Sequence, residues 1–286
     1  MKRREFLGLL SAQQVIPDGT PMTARIVVER ALPGRPHAGK VLAAIQPHSD
    51  DIPLFAAGTV AKLIGEGYTG CLIRTTNDDM AGPGTVGETV LANERDNRAV
   101  AKVLGLEKVF DLNYSNHQMD QESPLEIRAR LIFLFRLLKV DTVISFDPAS
   151  HYEENPDHYV TARAVEAACW MAGGSKDYPE HFAAGLKPHA VKERYYFSRG
   201  PQLVNRVVDI SAVIDKKVAA NRANLAQGPA GNAGARLRRQ LPNLGSDDET
   251  ASNNYIQHIL LERDLETGRR HGLAWAEPFH YIGPEK

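Results

Sequence analysis

A doubly wound α/β sandwich on a mostly parallel sheet is the fold the 286-residue sequence predicts, and three observations predict it. Between about residues 40 and 200, short apolar runs of strand length alternate with stretches of helical periodicity. Histidine and carboxylate clusters directly follow the first and the fourth of those runs, where an open parallel sheet gathers ligands at its strand carboxyl ends. The composition, 43% hydrophobic and 24% charged, is that of a globular chain able to bury a core.

Val41-Leu42-Ala43-Ala44-Ile45, bounded by Pro47, has the uninterrupted apolar character of a strand buried on both faces. Phe55 to Ile64 is predicted as a helix and Cys71-Leu72-Ile73 as a second strand. Glu88 to Leu104 is a second helix, closed by Gly105 at the position that tolerates positive φ, and Val109-Phe110-Asp111-Leu112 is the third strand. Pro124 suits the first turn of a third helix running to Leu138. Thr142-Val143-Ile144-Ser145-Phe146 is a β-branched fourth strand, and Pro156 to Met171 a fourth helix whose apolar face Trp170 and Met171 close. Parallel pairing with right-handed crossovers turns this alternation into a Rossmann-like three-layer α/β/α sandwich. Tyr195-Tyr196-Phe197 and Arg206-Val207-Val208-Asp209-Ile210 add strands, Ala212 to Leu225 a helix, and Asp247-Asp248-Glu249 the start of a last long helix. Residues 1–39 are expected to be an N-terminal lead, and 40–286 a single domain with a C-terminal elaboration from about 200.

The charge balance, 34 Lys+Arg against 35 Asp+Glu, argues against a nucleic-acid partner, whose electrostatic footprint is basic. Arg236, Arg238, Arg239, Arg269 and Arg270 are offset by neighbouring acids and read as a solvated face. No run of 18 apolar residues occurs, so no integral membrane span is expected. Two cysteines cannot build a disulfide framework or a cysteine-rich zinc site. Arg3-Arg4-Glu5-Phe6-Leu7 is similar to the opening of a twin-arginine export signal, but the apolar run Phe6 to Leu10 falls short of the roughly 7 to 15 residues of a signal core; a cytoplasmic location is expected. Gly82-Pro83-Gly84-Thr85-Val86-Gly87 matches a dinucleotide fingerprint letter by letter. Asn77 to Ala81 separate it from its strand, however, and the two aspartates there would repel a pyrophosphate, so a substrate-side loop is the expectation.

Of the ten histidines, the informative ones stand in the two strand-end clusters. After the first strand comes Gln46-Pro47-His48-Ser49-Asp50-Asp51, in which His48 and Asp51 can reach one cation and leave Asp50 free between them. Capping of the next helix by an aspartate is the alternative reading. After the fourth strand comes His151-Tyr152-Glu153-Glu154-Asn155-Pro156-Asp157-His158. His48, Asp51 and His158 together would supply two imidazoles and a carboxylate, a set suited to a catalytic zinc with a position open to water.

Pro47-His48-Ser49-Asp50-Asp51 resembles the alanine-histidine-proline-aspartate-aspartate motif of the LmbE-like or PIG-L-type zinc-dependent de-N-acetylases, and Asn155-Pro156-Asp157-His158 resembles their histidine-proline-aspartate-histidine motif. Weaker echoes at Asp96 to Gly105, at Val207 to Ile210 with Lys216 and Gln227 beyond, and at Ala276 to Phe279 extend the resemblance over most of residues 40–280. It implies a hydrolase of an amide C–N bond, de-N-acetylating an N-acetylglucosamine-type sugar or conjugate. Zn2+ would be held by His48, Asp51 and His158, and Asp50 would be the general base that takes a proton from water and returns it to the leaving amine. The implied partner is a small N-acetylated molecule, and the relatives' trimers or hexamers imply a homo-oligomer.

The sequence departs from the motifs at two positions. Ser49 stands at the first motif's proline. Asn155 stands at the second motif's first histidine, which in the family helps to neutralise the oxyanion; asparagine donates a hydrogen bond there but carries no charge. Losing such a donor costs on the order of 100-fold or more, so His151, His117 and His280, in that order, are candidates to support Asn155. Asn77 and Asp78, with Asp79 beside them, are expected on the same sheet edge, binding sugar hydroxyls or steadying a metal-bound histidine. A relative that binds a glycan or metabolite without hydrolysing it is the alternative.

Overall fold

The predicted alternation is realised from residue 41 to 197 in the computed structural model, which describes residues 25–227 and 248–284. The strands are β1 (Val27–Glu29), β2 (Val41–Gln46), β3 (Thr69–Thr76), β4 (Lys108–Tyr114), β5 (Thr142–Phe146), β6 (Glu193–Phe197), β7 (Arg206–Asp209) and β8 (Ala276–Ile282). They form one sheet in the order β1-β7-β8-β6-β5-β2-β3-β4. Its pairs are parallel except where β8 runs antiparallel to both β6 and β7. The helices α1 (Asp51–Phe55), α2 (Ala57–Gly65), α3 (Val86–Leu104), α4 (Pro124–Leu138), α5 (Pro156–Met171), α6 (Pro179–Ala183) and α7 (Ile214–Ala223) are followed by two more at Asp248–Tyr255 and Glu262–Arg270. The Arg3-Arg4 segment, the glycine-rich stretch 228–234 and Arg236, Arg238 and Arg239 lie outside the described residues.

Strand order places the site. The chain steps from β2 outward to β3 and β4, then returns through α4 to β5 on the other flank of β2 and continues to β6. Right-handed crossovers require helices made before and after that reversal to cover opposite faces. Accordingly α2, α3 and α7 pack together on one face and α4 packs on α5 on the other. The side chains alternate to match: Leu42, Ala44, Ile144 and Phe146 belong to the first core, and Ala43, Ile45, Val143 and Ile73 to the second. Where the direction reverses, between β2 and β5, the following loops diverge and leave a crevice at the carboxyl ends.

Several expectations are corrected. The helix expected over 55–64 is α2, which starts at Ala57, and a further short helix, α1, precedes it across a break at Ala56 with φ −145°. The expected lead contributes β1, paired with β7. The last helix is interrupted by a π-helical stretch at Ile256–Leu260. Trp170 is not core but 79% exposed: α5 buries the helical face of Thr161, Val165, Ala168 and Cys169, and position 170 lies off that stripe. The glycine match at 82–87 leads into a capping box, in which Thr85 and Glu88 exchange bonds at the start of α3. Pro278, opposite Val207, sits inside β8 although proline normally marks an edge strand.

Beside it the fully buried Glu277 accepts hydrogen bonds from the Gly58 and Thr59 backbone N–H groups, the Thr59 hydroxyl and Lys217 Nζ. The N-cap residue of α2, Ala56, makes no side-chain cap, so the carboxylate of β8 satisfies that helix end instead. Among the described residues no helix is long and apolar enough to cross a membrane.

Candidate metal centre

The turn from β2 into α1 is closed by its own residues. Asp51 opens α1 and its Oδ2 accepts the backbone N–H of His48 at 2.8 Å, while Gln46 Oε1 accepts Ile52 N–H at 2.8 Å. Across the crevice, Asn155 caps α5 by accepting Asp157 N–H at 3.0 Å, which sets His158 in the first turn. The two turns bring three buried donors together. His48 Nδ1 lies 3.0 Å from His158 Nε2 and 3.5 Å from Asp51 Oδ2, and His158 Nε2 lies 3.5 Å from Asp51 Oδ1. Donors held at 2.0–2.1 Å around a tetrahedral ion are about 3.3 Å apart, so His48, Asp51 and His158 fit a single metal ion with little adjustment, and they form one of the groups able to hold one.

The remaining ring nitrogens each face a carboxylate. His48 Nε2 lies 3.0 Å from Asp157 Oδ2, and His158 Nδ1 lies 3.1 Å from Glu153 Oε1. Carboxylates in this position fix which ring nitrogen faces the ion and raise its basicity. Phe146 stacks on the His158 ring at 4.1 Å between centroids, and Arg199 holds Glu153 from outside. Burial opposes charge throughout, yet Asp157 and Asp51 outweigh it and hold the His48 proton well above the usual imidazole range. For Asp51, burial is likewise overcome by His158 and His48, and its carboxyl lies below its ordinary value. Asp50 behaves oppositely: burial and the adjacent Asp51 push it up to about 7.

These residues border a cavity of about 290 Å³ lined by His48, Asp50, Asp51, His117, Asn155, His158, Arg199 and Gln227, among others. The expected residues divide around it. His117, at φ +62°, is exposed in the cavity; its backbone N–H donates to Asp157 Oδ2 at 2.6 Å, and its ring centroid is 6.3 Å from that of His48. His151 is exposed in the turn before Glu153 and lies outside the lining. His280 is tied to Asp147 at 3.2 Å and also lies outside it. Asp78 is fully buried: it pairs with Arg74 at 2.9 Å and accepts Ser49 N–H, so it supports the turn instead of meeting a ligand. Asn77 spends its backbone N–H on Tyr114 and its Oδ1 on Asp79.

Sequence reasoning missed Glu153 and Arg199 as site residues. Glu153 stood inside the second cluster, and its nearness to His158 was the available signal. Arg199 follows β6 by two residues, and nothing local marks which strand-end loops converge.

Residues 43–169 match the family model described as PIG-L: GlcNAc-PI de-N-acetylase. They are a PIG-L family domain. The diacetylchitobiose deacetylase of Thermococcus kodakarensis is 28% identical to this chain over 194 residues, 66% of the chain and 71% of that protein. Among solved structures, N,N'-diacetylchitobiose deacetylase from Pyrococcus horikoshii is similar with a TM-score of 0.68 at 22% identity, covering 85% of this chain and 84% of its own. The 4-carboxy-2-hydroxymuconate hydratase from Pseudomonas putida is similar at 0.62 and 18% identity, over 86% and 98%. The PIG-L fold thus carries both a deacetylase and a hydratase, and activity has to be argued from the site.

Proposed function

We propose that the protein is a zinc-dependent amide hydrolase that removes the acetyl group from an N-acetylglucosamine-type sugar or conjugate. The observation that carries this reading is the convergence of His48, Asp51 and His158 at one-ion spacing, with the Asp50 carboxyl beside them on the cavity wall. Similarity to diacetylchitobiose deacetylases supports the substrate class. A zinc ion held there would polarise the amide carbonyl and lower the pKa of water from 15.7 toward about 7.

Asp50 has the work of a general base. Its carboxyl stands on the cavity wall beside Asp51, in place to accept a proton from water and return it to the leaving amine. Asn155 Oδ1 is spent on the helix cap, so its Nδ2 amide is what remains to donate toward the oxyanion. We assign the stronger support of that charge to His117, the one of the three candidate histidines on the cavity wall. The protein is further expected to act as a soluble cytoplasmic homo-oligomer on a small N-acetylated molecule.

The test pairs metal analysis with hydrolysis of N,N'-diacetylchitobiose. Asp50→Asn should keep about one zinc per chain and lose turnover; activity retained in that variant would refute the assignment of the base. Binding of N-acetylated sugars by the wild-type chain without turnover on any of them would favour the non-hydrolysing alternative.

A further inference from the structure

Ser49, where the chain departs from its family motif, is fully buried and hydrogen-bonded through both its backbone and its hydroxyl. Its backbone N–H donates to Asp78 Oδ2 at 3.0 Å and its Oγ lies 2.9 Å from Asn93 Oδ1. Proline could make neither bond. The direction of each bond in this network follows from the donors available. Asn93 Nδ2 is spent on the backbone carbonyls of Ala81 at 2.8 Å, Thr89 at 3.0 Å and Asp78 at 3.3 Å, so Oδ1 is the end that faces Ser49. The Ser49 hydroxyl must then donate to Asn93 Oδ1, which leaves its lone pairs to accept.

Gln227 supplies what they accept. Its Nε2 lies 3.0 Å from Ser49 Oγ and 2.7 Å from Asn93 Oδ1, two acceptors that consume both amide hydrogens. The reverse orientation would set the Gln227 carbonyl against the Asn93 carbonyl, two acceptors with no proton between them, so the amide is locked. The carbonyl oxygen Oε1 has no partner among the described residues, and the side chain lines the same cavity as Asp50, His117 and His158.

The geometry points to Gln227 as a specificity-determining acceptor, clamped by Ser49 and Asn93 so that Oε1 meets a hydroxyl or amide N–H donor on the bound molecule. Ser49 is the positioning residue, and Gln227 touches the ligand. A fixed acceptor selects for the donor it was built to meet, because a ligand lacking that donor leaves a desolvated carbonyl unpaired. The reading of the ligand as a sugar rests on the proposed function; the clamp does not.

The experiment therefore has two arms. In the zinc-loaded protein without sugar, the side-chain amide protons of Gln227, identified in the nuclear magnetic resonance spectrum by their loss in Gln227→Ala, should shift in Ser49→Ala; unshifted protons overturn the clamp whether or not the protein is a deacetylase. In the second arm, KM for N,N'-diacetylchitobiose should rise about tenfold in Ser49→Ala and in Gln227→Ala, the equivalent of one lost hydrogen bond, with kcat and zinc content held. Ser49→Ala/Gln227→Ala should be no worse than Gln227→Ala alone, since the two act as a unit. Additive losses, or an effect confined to kcat, overturn the acceptor role. A wild-type chain that turns over no N-acetylated sugar counts against the proposed function, and the first arm still decides the clamp.

Discussion

Replacing Asp157 by asparagine separates the metal-supporting role proposed for this residue from its structural one. Asp157 is fully buried; its Oδ2 accepts from His48 Nε2 at 3.0 Å and His117 N–H at 2.6 Å, and its Oδ1 accepts Met119 N–H at 3.3 Å. An asparagine keeps its single carbonyl oxygen on the side with two donors, which turns its NH2 group toward the Met119 N–H. That buried donor left facing a donor costs about 1–3 kcal/mol. At His48, a charge-assisted bond becomes a neutral one of roughly half the strength. Loss of a carboxylate partner behind a metal-bound histidine weakens metal binding about 10–100-fold, or roughly 1.4–2.8 kcal/mol. Urea unfolding of the metal-free variant should thus show a loss of about 1–3 kcal/mol, and chelator competition a zinc Kd weaker by about 10–100-fold. A Kd within about threefold of wild type, beside the expected loss of stability, would refute the argument that His48 depends on a carboxylate to bind metal.

His117→Ala should lower kcat about 100-fold with a much smaller change in KM, as for an oxyanion donor, while His151→Ala leaves both unchanged; equal losses in the two variants would return the role to an undivided histidine cluster. Glu277→Ala leaves Lys217, fully buried, with Asp264 as its remaining acidic partner at 2.6 Å and strips two N–H groups of α2 of their acceptor. Urea denaturation should show a loss of about 3–5 kcal/mol; a loss under about 1 kcal/mol would mean that the helix end finds other partners.

The parallel half of the fold was legible because each strand from β2 to β6 is an apolar run bounded by turn residues, and because Pro124, Pro156 and Gly105 mark helix ends by mechanism. The convergence of His48, Asp51 and His158 was legible because these residues sit in two short segments, each directly after a strand. What escaped depends on residues far apart in the chain. Pro278 disguises β8, since the local cost of a missing donor is outweighed by the burial of Phe279 and the hydrogen bonds that Glu277 accepts beside it. Asp78 read as a ligand-binding acid, because the Arg74 that neutralises it lies inside a strand whose other residues are apolar or neutral. The choice among His117, His151 and His280 turned on which loops lean over the crevice. Sequence distance to the motifs favoured His151; the Asp157 carboxylate, by drawing in the His117 backbone N–H, sets His117 on the cavity wall instead.

The antiparallel β8 also bears on how the chain can assemble. Its register, with Tyr196 opposite His280 on one side and Val207 opposite Pro278 on the other, makes it the strip that joins β7 and β1 to the rest of the sheet. During synthesis, β1 and β7 emerge well before residues 276–282, so the sheet carries two open strand edges until those residues are available. Such edges invite pairing with other chains, and contacts spanning this much sequence form slowly. A ribosome stalled before residue 276 therefore holds a chain with both strand-end histidine clusters complete and its sheet still divided.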